Sequence, residues 1–525
     1  METMNTRGLS EKIFLCLEPP TEEEHASDQM RITEGLKEKG YQNIRFSLKA
    51  LRDLYPLCRD AGWEITVTLV HRGGETLVTS VEKGDRRAQH WGLAVDYGST
   101  TVVMQMADMN SGRVLAEESE ANGQTVYGAD ILTRITYGME NPEHRRNLRL
   151  VTAETFHRLL DKLTEKTGIQ ARECPVMVIS GNTTMVHFFL ELDAWTVFSS
   201  PYAPVTTEPG FFQGRELGLD FSGEVFFIPG ISNYVGGDIV SGLLMMDFYK
   251  KEETGLFFDI GTNGELVIGN REWLLAGAGA AGPALEGDIS RYGIRACPGA
   301  IDTVHIEGEK LTFTTIGGEK PVGICGSGII DLLAQMRLNG WVDIAGNLNP
   351  EASPRIVYLE EEGEYGAVYA TEEESEQGEP LYFSQTDIRQ YIDTKAAAHT
   401  MLDCLLESAG CTEEEIGHYY LSGAFCAHGN LESAITIGIF PDVPLERYSA
   451  LRNSSLDGAR TLLLDRSRME DVAYLRENVY SVQFASMPDF LVRMQAAKFI
   501  PHTDMKKYPS VEKKLEEKMK RRKGE

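Results

Sequence analysis

One short pattern occurs twice in this chain, and the repeat constrains the fold more than any other feature. Residues 92–108, GLAVDYGSTTVVMQMAD, run from an apolar strand through a tight turn into a second apolar strand. Residues 255–270, GLFFDIGTNGELVIGN, do the same. Asp96 and Asp259 each end the first strand, and Gly98 and Gly261 follow two residues later. Hydroxyl or amide side chains come next. The copies lie 163 residues apart. A second pair supports the repeat: VMVISG (176–181) and HYYLSG (418–423) both carry an apolar strand into Ser-Gly. An Asp-Gly hairpin followed by a Ser-Gly strand in each half predicts an internally duplicated α/β fold.

The turns also carry a chemistry. Glycine at the third position opens backbone angles closed to other residues, so the N–H groups after it can converge on one concavity. Such an array binds phosphate oxygens. Ser99, Thr100 and Thr101 add hydroxyls to the first turn; Thr262 and Asn263 do so in the second. Asp96 and Asp259 can hold a divalent cation directly or through water, or can simply cap their hairpins. A single Asp-x-Gly turn is common in ordinary hairpins. Two of them between apolar strands can grip one triphosphate from both sides. The P-loop pattern GxxxxGK[ST] is absent, and no GxGxxG follows the first strand, so a P-loop or dinucleotide site is not supported.

Charge and composition narrow the classes further. The 525 residues call for two to four domains. A formal net charge of −28 repels phosphate backbones, which argues against a nucleic-acid partner. A bound triphosphate must then be held by backbone N–H groups and a cation rather than by general positive potential. No apolar run approaches the roughly 20 residues of a bilayer span. The opening METMNTRGLSEK lacks a secretion signal, so a cytoplasmic protein without a membrane partner is expected. The eight cysteines have no CxxC pair, and the nearest are seven apart. They read as small buried hydrophobes rather than as disulfides, zinc ligands or iron–sulfur ligands.

Texture divides the chain into a small α/β domain over 12–88, a first lobe over 91–250, a second over 251–504 and a basic tail over 505–525. In the small domain, Ile13–Leu17 predicts a strand and Ser27 an N-cap for a helix to Lys39. Leu48–Ala61 predicts a second helix, and EITVTLV with ETLVTSV predicts a hairpin. The acidic stretch Leu359–Pro380 reads as a solvated insertion, and the tail as a short exposed helix. Asp238, opening a helical pattern after Gly236–Gly237, either orients an attacking water or caps the helix. Glu265 is a further carboxylate candidate. Gly326 and Ser327, leading into a helix near Ile329, face phosphate or serve close packing. Gly181–Thr184 and Gly282–Asp288 are candidates for lining the cleft. His187 and His399 read as packing residues.

At these residues the chain resembles the actin, sugar-kinase and Hsp-type chaperone superfamily (ASKHA). DYGSTT looks like its first phosphate motif, DIGTNGE its second, and Ser422–Phe425 its adenosine motif. ISNYVGGDIVSGLL, AAGPALEGDISRYGIRACPGAID, ICGSGIIDLLA and FIPHTD are similar to blocks of the reductive activators of corrinoid-dependent methyltransferases. The likeness runs from Trp91 to Asp504, with 12–88 similar to the small domain before the kinase-like part. It implies a two-lobed, duplicated actin/sugar-kinase-like (RNase H-like) ATPase fold. It implies ATP and Mg²⁺ as cofactors, with metal at Asp96 and Asp259 and catalysis at Asp238 and Asp259. Gly98, Ser99, Thr100, Thr101, Gly261, Thr262, Asn263, Gly326, Ser327, Gly423, Ala424 and Phe425 would hold nucleotide. The implied activity is ATP-driven reduction of a Co(II) corrinoid protein to Co(I). Two departures follow. No iron–sulfur cluster is expected on this chain, so a separate ferredoxin-like donor would supply electrons. The family's Gly-Gly-Phe-Gly stands here as Gly-Ala-Phe-Cys. A small-molecule kinase and a non-catalytic nucleotide-binding regulator remain the alternatives, and a homodimer is left open.

Overall fold

The computed structural model describes residues 7–523 apart from Thr262, 281–289, 424–428, 485–486 and 488. Two compact units emerge: Met1–Asp247 with Ser454–Asn478, and Phe248–Asn453 with Val479–Glu525.

The first unit opens with β1 (Ser10–Cys16), α1 (Asp28–Glu38), β2 (Ile44–Phe46), α2 (Leu48–Asp60), β3 (Glu64–Arg72) and β4 (Glu75–Lys83). The Ser27 hydroxyl accepts from Met30 N and starts α1, as its spacing predicts. The strands form one sheet in the order β1-β3-β4-β2, with β3 and β4 as the expected antiparallel hairpin. Alternation does the sorting: Ile65, Val67 and Leu69 face a core shared with Ile32, Leu36 and Leu54 of the helices.

The same unit continues with β5 (Trp91–Tyr97), β6 (Thr101–Asp108), β7 (Val114–Ala121), α3 (Ile131–Glu140), α4 (Pro142–Thr167), β8 (Val176–Ser180), α5 (Thr183–Phe189), α6 (Trp195–Phe198), β9 (Gly210–Gln213), β10 (Glu224–Phe227) and α7 (Gly237–Met246). Its sheet runs β7-β6-β5-β8-β10-β9. β5, β6 and β7 form an antiparallel meander, while β5, β8 and β10 are parallel neighbours. Val176–Ile179 are fully buried, the continuous apolar run expected of a parallel strand covered on both faces.

The second unit contains β11 (Gly255–Ile260), β12 (Asn263–Gly269), β13 (Leu274–Ala280), β14 (Ala300–Glu307), β15 (Lys310–Thr315), β16 (Gly323–Ile324), α8 (Gly326–Leu338), β17 (Ile356–Leu359), β18 (Glu364–Ala370), β19 (Leu381–Ser384), α9 (Gln385–Ala409), β20 (His418–Ser422), α10 (Leu431–Ile437), β21 (Tyr448–Ala450) and β22 (Val479–Gln483). Its large sheet runs β21-β20-β11-β12-β13-β22. Read from the other end, β13-β12-β11-β20-β21 repeats β7-β6-β5-β8-β10: an antiparallel meander, then parallel strands. The duplication inferred from two sequence motifs is thus a duplication of whole sheets.

Three local expectations change. Leu359–Pro380 is not a solvated insertion throughout: β17, β18 and β19 form a sheet, and Ala367, Tyr369 and Ala370 are fully buried. The C-terminal helix Pro509–Lys523 is not simply exposed, because Val511 and Leu515, four apart, join the core of the second unit. Cys16 and Cys297 are exposed, whereas Cys58, Cys174, Cys325 and Cys404 are buried as expected; Cys426 lies outside the described residues.

After Asn453 the chain re-enters the first unit as α11 (Ser454–Leu464) and α12 (Arg468–Asn478). This stretch lies inside the segment 251–504 read above as one lobe. α11 packs against α7, β5 and β8, with Leu456, Ala459, Leu462 and Leu463 buried. The Arg468 guanidinium forks onto the Asp247 carboxylate at 2.6 and 2.9 Å, fastening α12 to the end of α7.

Candidate functional site

In the first unit, three parallel strands lie side by side, and sequence-selected residues stand at or beyond the carboxyl end of each. Asp96 of β5 stands in register with Ser180 of β8. Gly181–Asn182 follow Ser180, and Gly236–Asp238 open α7 after β10. The two turns touch: a Cβ on Gly236 would lie 2.5 Å from Asn182 Cα. Carboxyl ends of parallel strands are where open α/β sheets bind ligands. Helix α7 is N-capped by Gly236, so Asp238 sits in the first turn rather than at the cap, and its Oδ1 accepts from Ile239 N at 2.9 Å. Asn182 caps α5, its Oδ1 accepting from Met185 N at 2.9 Å.

The turn after Asp96 is held from behind. Asn122 Nδ2 donates to Gly98 O at 2.8 Å, Arg134 Nη1 to Ser99 O at 2.6 Å, and Asn122 N to Thr100 O at 2.8 Å. Asn122 and Arg134 are both fully buried. In a trans peptide the N–H points opposite to the preceding C=O. Three consecutive carbonyls held toward Asn122 and Arg134 therefore turn the N–H groups of Ser99, Thr100 and Thr101 the other way. Among the described residues, the Ser99 and Thr100 N–H groups have no acceptor, and both residues are only half-buried. This is a cradle with its donors outward, and it fits a phosphate. Gly98 contributes differently from the expectation: its φ is not left-handed, but a Cβ would lie 2.6 Å from Thr101 O, so glycine is required for close approach. Thr101 begins β6.

Asp96 is also positioned by a residue the sequence reading missed. Ser455, at the start of α11, donates its hydroxyl to Asp96 Oδ1 at 2.8 Å. Its Oγ lies 2.8 Å from Ser180 Oγ, and Ser241 Oγ donates to its carbonyl at 2.6 Å. Only a long-range fold brings Ser455 here, so no local signal marks it. Arg134 and Asn122 were missed for the same reason. Burial lowers the Arg134 pKa below the ordinary arginine value.

In the second unit the motif recurs. Asp259 of β11 stands in register with Ser422 of β20 on one side and Glu265 of β12 on the other. Gly423 has φ +115° and a Cβ there would lie 2.0 Å from Ile260 O. Gly181 bears on Tyr97 O at 3.0 Å in the same way. Both Ser-Gly turns thus press on the carbonyl of the residue after the aspartate. Gly261 N donates to Asn263 O at 2.9 Å, closing the tight turn. Asp259, Gly261 and Asn263 are half-buried. Gly326 and Ser327 open α8, next to the three-stranded sheet β15-β14-β16 rather than on the sheet carrying Asp259. The Ser327 hydroxyl lies 3.3 Å from Cys325 Sγ, and Gly328 approaches Ile301 O, which makes this a packed strand-to-helix junction. Thr262, Ala424, Phe425 and the Gly282–Asp288 block lie outside the described residues. Among the described residues, the side chains in register with the two aspartates, Ser180, Ser422 and Glu265, offer oxygen, the ligand type that suits a hard cation such as Mg²⁺. No helix among the described residues is long and apolar enough to cross a membrane.

Two sheets of one topology, each with an Asp-Gly turn beside a Ser-Gly turn, define the actin-like ASKHA class of α/β fold. Residues 253–512 match the C-terminal domain of RACo, its ASKHA domain; 91–251 match the RACo middle region, and 2–88 the RACo linker region. The chain belongs to the RACo family. It superposes on a solved structure named reductive activator for corrinoid,iron-sulfur protein with a TM-score of 0.90 and 34% identity, over 97% of this chain and 82% of that one. It is 28% identical to the corrinoid activation enzyme RamQ of Eubacterium limosum, over 80% of this chain and 72% of RamQ. It is 27% identical to the [Co(II) methylated amine-specific corrinoid protein] reductase of Methanosarcina barkeri, over 49% and 47%.

Proposed function

We propose that this chain binds and hydrolyses ATP and uses that turnover to activate a corrinoid protein by reduction from Co(II) to Co(I). The observation that carries the nucleotide part is the outward-facing N–H cradle at Ser99 and Thr100, with three carbonyls tied down behind it. In this reading Gly98–Thr101 and Gly261–Asn263 hold phosphates, and Asp96 and Asp259 hold Mg²⁺ directly or through water. Asp238 orients the attacking water, and Gly423–Phe425 lie against the nucleoside. The names of the relatives support the corrinoid partner. A separate ferredoxin-like protein supplies the electron. Residues 91–250 together with 454–478, and the rest of 251–504, are the two functional lobes, 12–88 an accessory domain and 505–525 a basic tail.

The test combines phosphate release with the cobalt spectrum. The unaltered chain, given ATP, Mg²⁺, a low-potential donor and a Co(II) corrinoid protein, should release phosphate and convert the cobalt absorbance to that of Co(I). Asp259→Ala should abolish both while retaining the folded far-UV spectrum. Phosphate transferred to a small molecule, or ATP bound without turnover, would replace this reading with a kinase or a regulator.

A further inference from the structure

Arg134 is an unusual cation. It is fully buried, yet all its oxygen acceptors are neutral: Gly128 O at 2.8 Å from Nε, Ser99 O at 2.6 Å from Nη1 and Ala129 O at 3.4 Å from Nη2. The Met185 sulfur lies 4.0 Å from Nη1. Among the described residues no carboxylate makes a contact ion pair with it; Asp130, whose oxygens accept from the N–H and hydroxyl of Thr133 at 2.8 and 2.7 Å, acts on the guanidinium only at longer range. By contrast the half-buried Arg468 is paired with Asp247 and Asp471. A dehydrated charge without a contact counter-ion is costly, and a fold that keeps one leaves its positive potential only partly neutralised. Only the Ser99–Thr100 peptide separates this charge from the outward N–H groups, and a peptide dipole aligned this way carries its positive end to the far side.

We propose that Arg134 is the positioning charge of the first phosphate turn, with the bound polyphosphate completing the neutralisation that Asp130 supplies only at longer range. This rests on the nucleotide reading above and deepens it. The guanidinium fixes the Ser99 carbonyl inward, which aims the Thr100 N–H outward, and its field adds to that of the cradle. Discrimination for the charged part of the ligand follows: affinity gained through Arg134 scales with phosphate charge and is absent for the nucleoside.

The experiment supplies the missing contact carboxylate. Met185→Glu places an acid beside the guanidinium without removing its bonds to the turn, and Met185→Gln is the neutral control of the same shape. ATP, ADP and adenosine affinities of the full chain are measured by calorimetry at pH 8. Met185→Glu should bind ATP about tenfold more weakly than Met185→Gln, the size expected of one unit charge acting at this range through protein, while adenosine affinity is equal in the two. Arg134→Met should lose at least as much ATP affinity, and Arg134→Lys, which keeps the charge, less than Arg134→Met. Equal ATP affinity in Met185→Glu and Met185→Gln, with ATP bound by the unaltered chain, overturns this proposal alone. A parallel loss of ATP and adenosine affinity also overturns it, because that is the mark of a purely structural role. Failure of the unaltered chain to bind ATP overturns the nucleotide reading and this proposal together.

Discussion

Ser455 donates its hydroxyl proton to Asp96 across 359 residues of chain, at 2.8 Å. A serine hydroxyl has a single proton, and the carboxylate is the stronger acceptor. Ser180, 2.8 Å away, then donates to Ser455 or to Gly237 O. The result is a short relay that fixes one oxygen of Asp96 from helix α11.

Replacing that donor tests the relay. Ser455→Ala should cost about 1.5–3 kcal/mol in denaturant unfolding, the range for a hydrogen bond to a charged group. It should also raise the Mg²⁺ concentration needed for half-maximal phosphate release, since Asp96 would lose its orientation. An unchanged Mg²⁺ dependence would detach Asp96 from the metal role.

The two Ser-Gly turns predict a graded pair. Gly423→Ala forces a side chain to 2.0 Å from Ile260 O at φ +115°. The backbone strain alone amounts to about 1–2 kcal/mol, and the Asp259 turn must shift as well. Gly181→Ala meets Tyr97 O at 3.0 Å without a left-handed φ, so a small movement suffices. Thermal unfolding and phosphate release should both rank Gly423→Ala as the more damaging; the reverse order would contradict the described turn geometry.

Acid stability should be set partly by His90. Burial, reinforced by Lys12, pulls its pKa from 6.5 down to about 4, and its Nε2 lies 3.0 Å from the Ser10 hydroxyl. Above pH 6.5 both folded and unfolded states are neutral. As pH falls from 6.5 toward 4 the unfolded state takes up a proton first, so stability is lost across that window, by up to about 3 kcal/mol for this group. His90→Gln should lose correspondingly less between pH 7 and pH 4 in urea titrations. A variant with the same loss as the unaltered chain would place the acid sensitivity elsewhere.

Lys395 anchors the FIPHTD block. Its buried ammonium donates to Ala497 O at 2.9 Å, Phe499 O at 3.0 Å and Pro501 O. Lys395→Met keeps the apolar stem and strands three carbonyls, at a cost of about 3 kcal/mol. Hydrogen exchange should rise first at residues 497–504. Protection unchanged there would show that the segment does not depend on the clamp.

What could be read from the sequence was local and periodic. The strand ending in Asp96 and that ending in Asp259 are apolar runs with a glycine two residues beyond, and Ser27 with its helix follows capping rules. Ser180 and Ser422 could be paired with those aspartates only as motifs; their register came from the sheets. Asn122, Arg134 and Ser455 escaped notice because each acts through a partner 24 or more residues away. A lone arginine in an amphipathic helix ordinarily faces water. The glycine of the first turn was chosen correctly for the wrong reason: clearance, not handedness, excludes a side chain at Gly98. The acidic stretch misled because Glu-rich flanks masked the short continuous buried run from Gly366 to Ala370.

The excursion of Ser454–Asn478 sets a practical rule for dissecting the molecule. Three peptide bonds, after Asp247, Asn453 and Asn478, join the two compact units. A recombinant fragment stopped at Asp247 would leave α7, β5 and β8 stripped of the helix that covers them, with Asp96 lacking its donor. Expressing the first body on its own therefore requires splicing 454–478 back onto 1–247 through a linker.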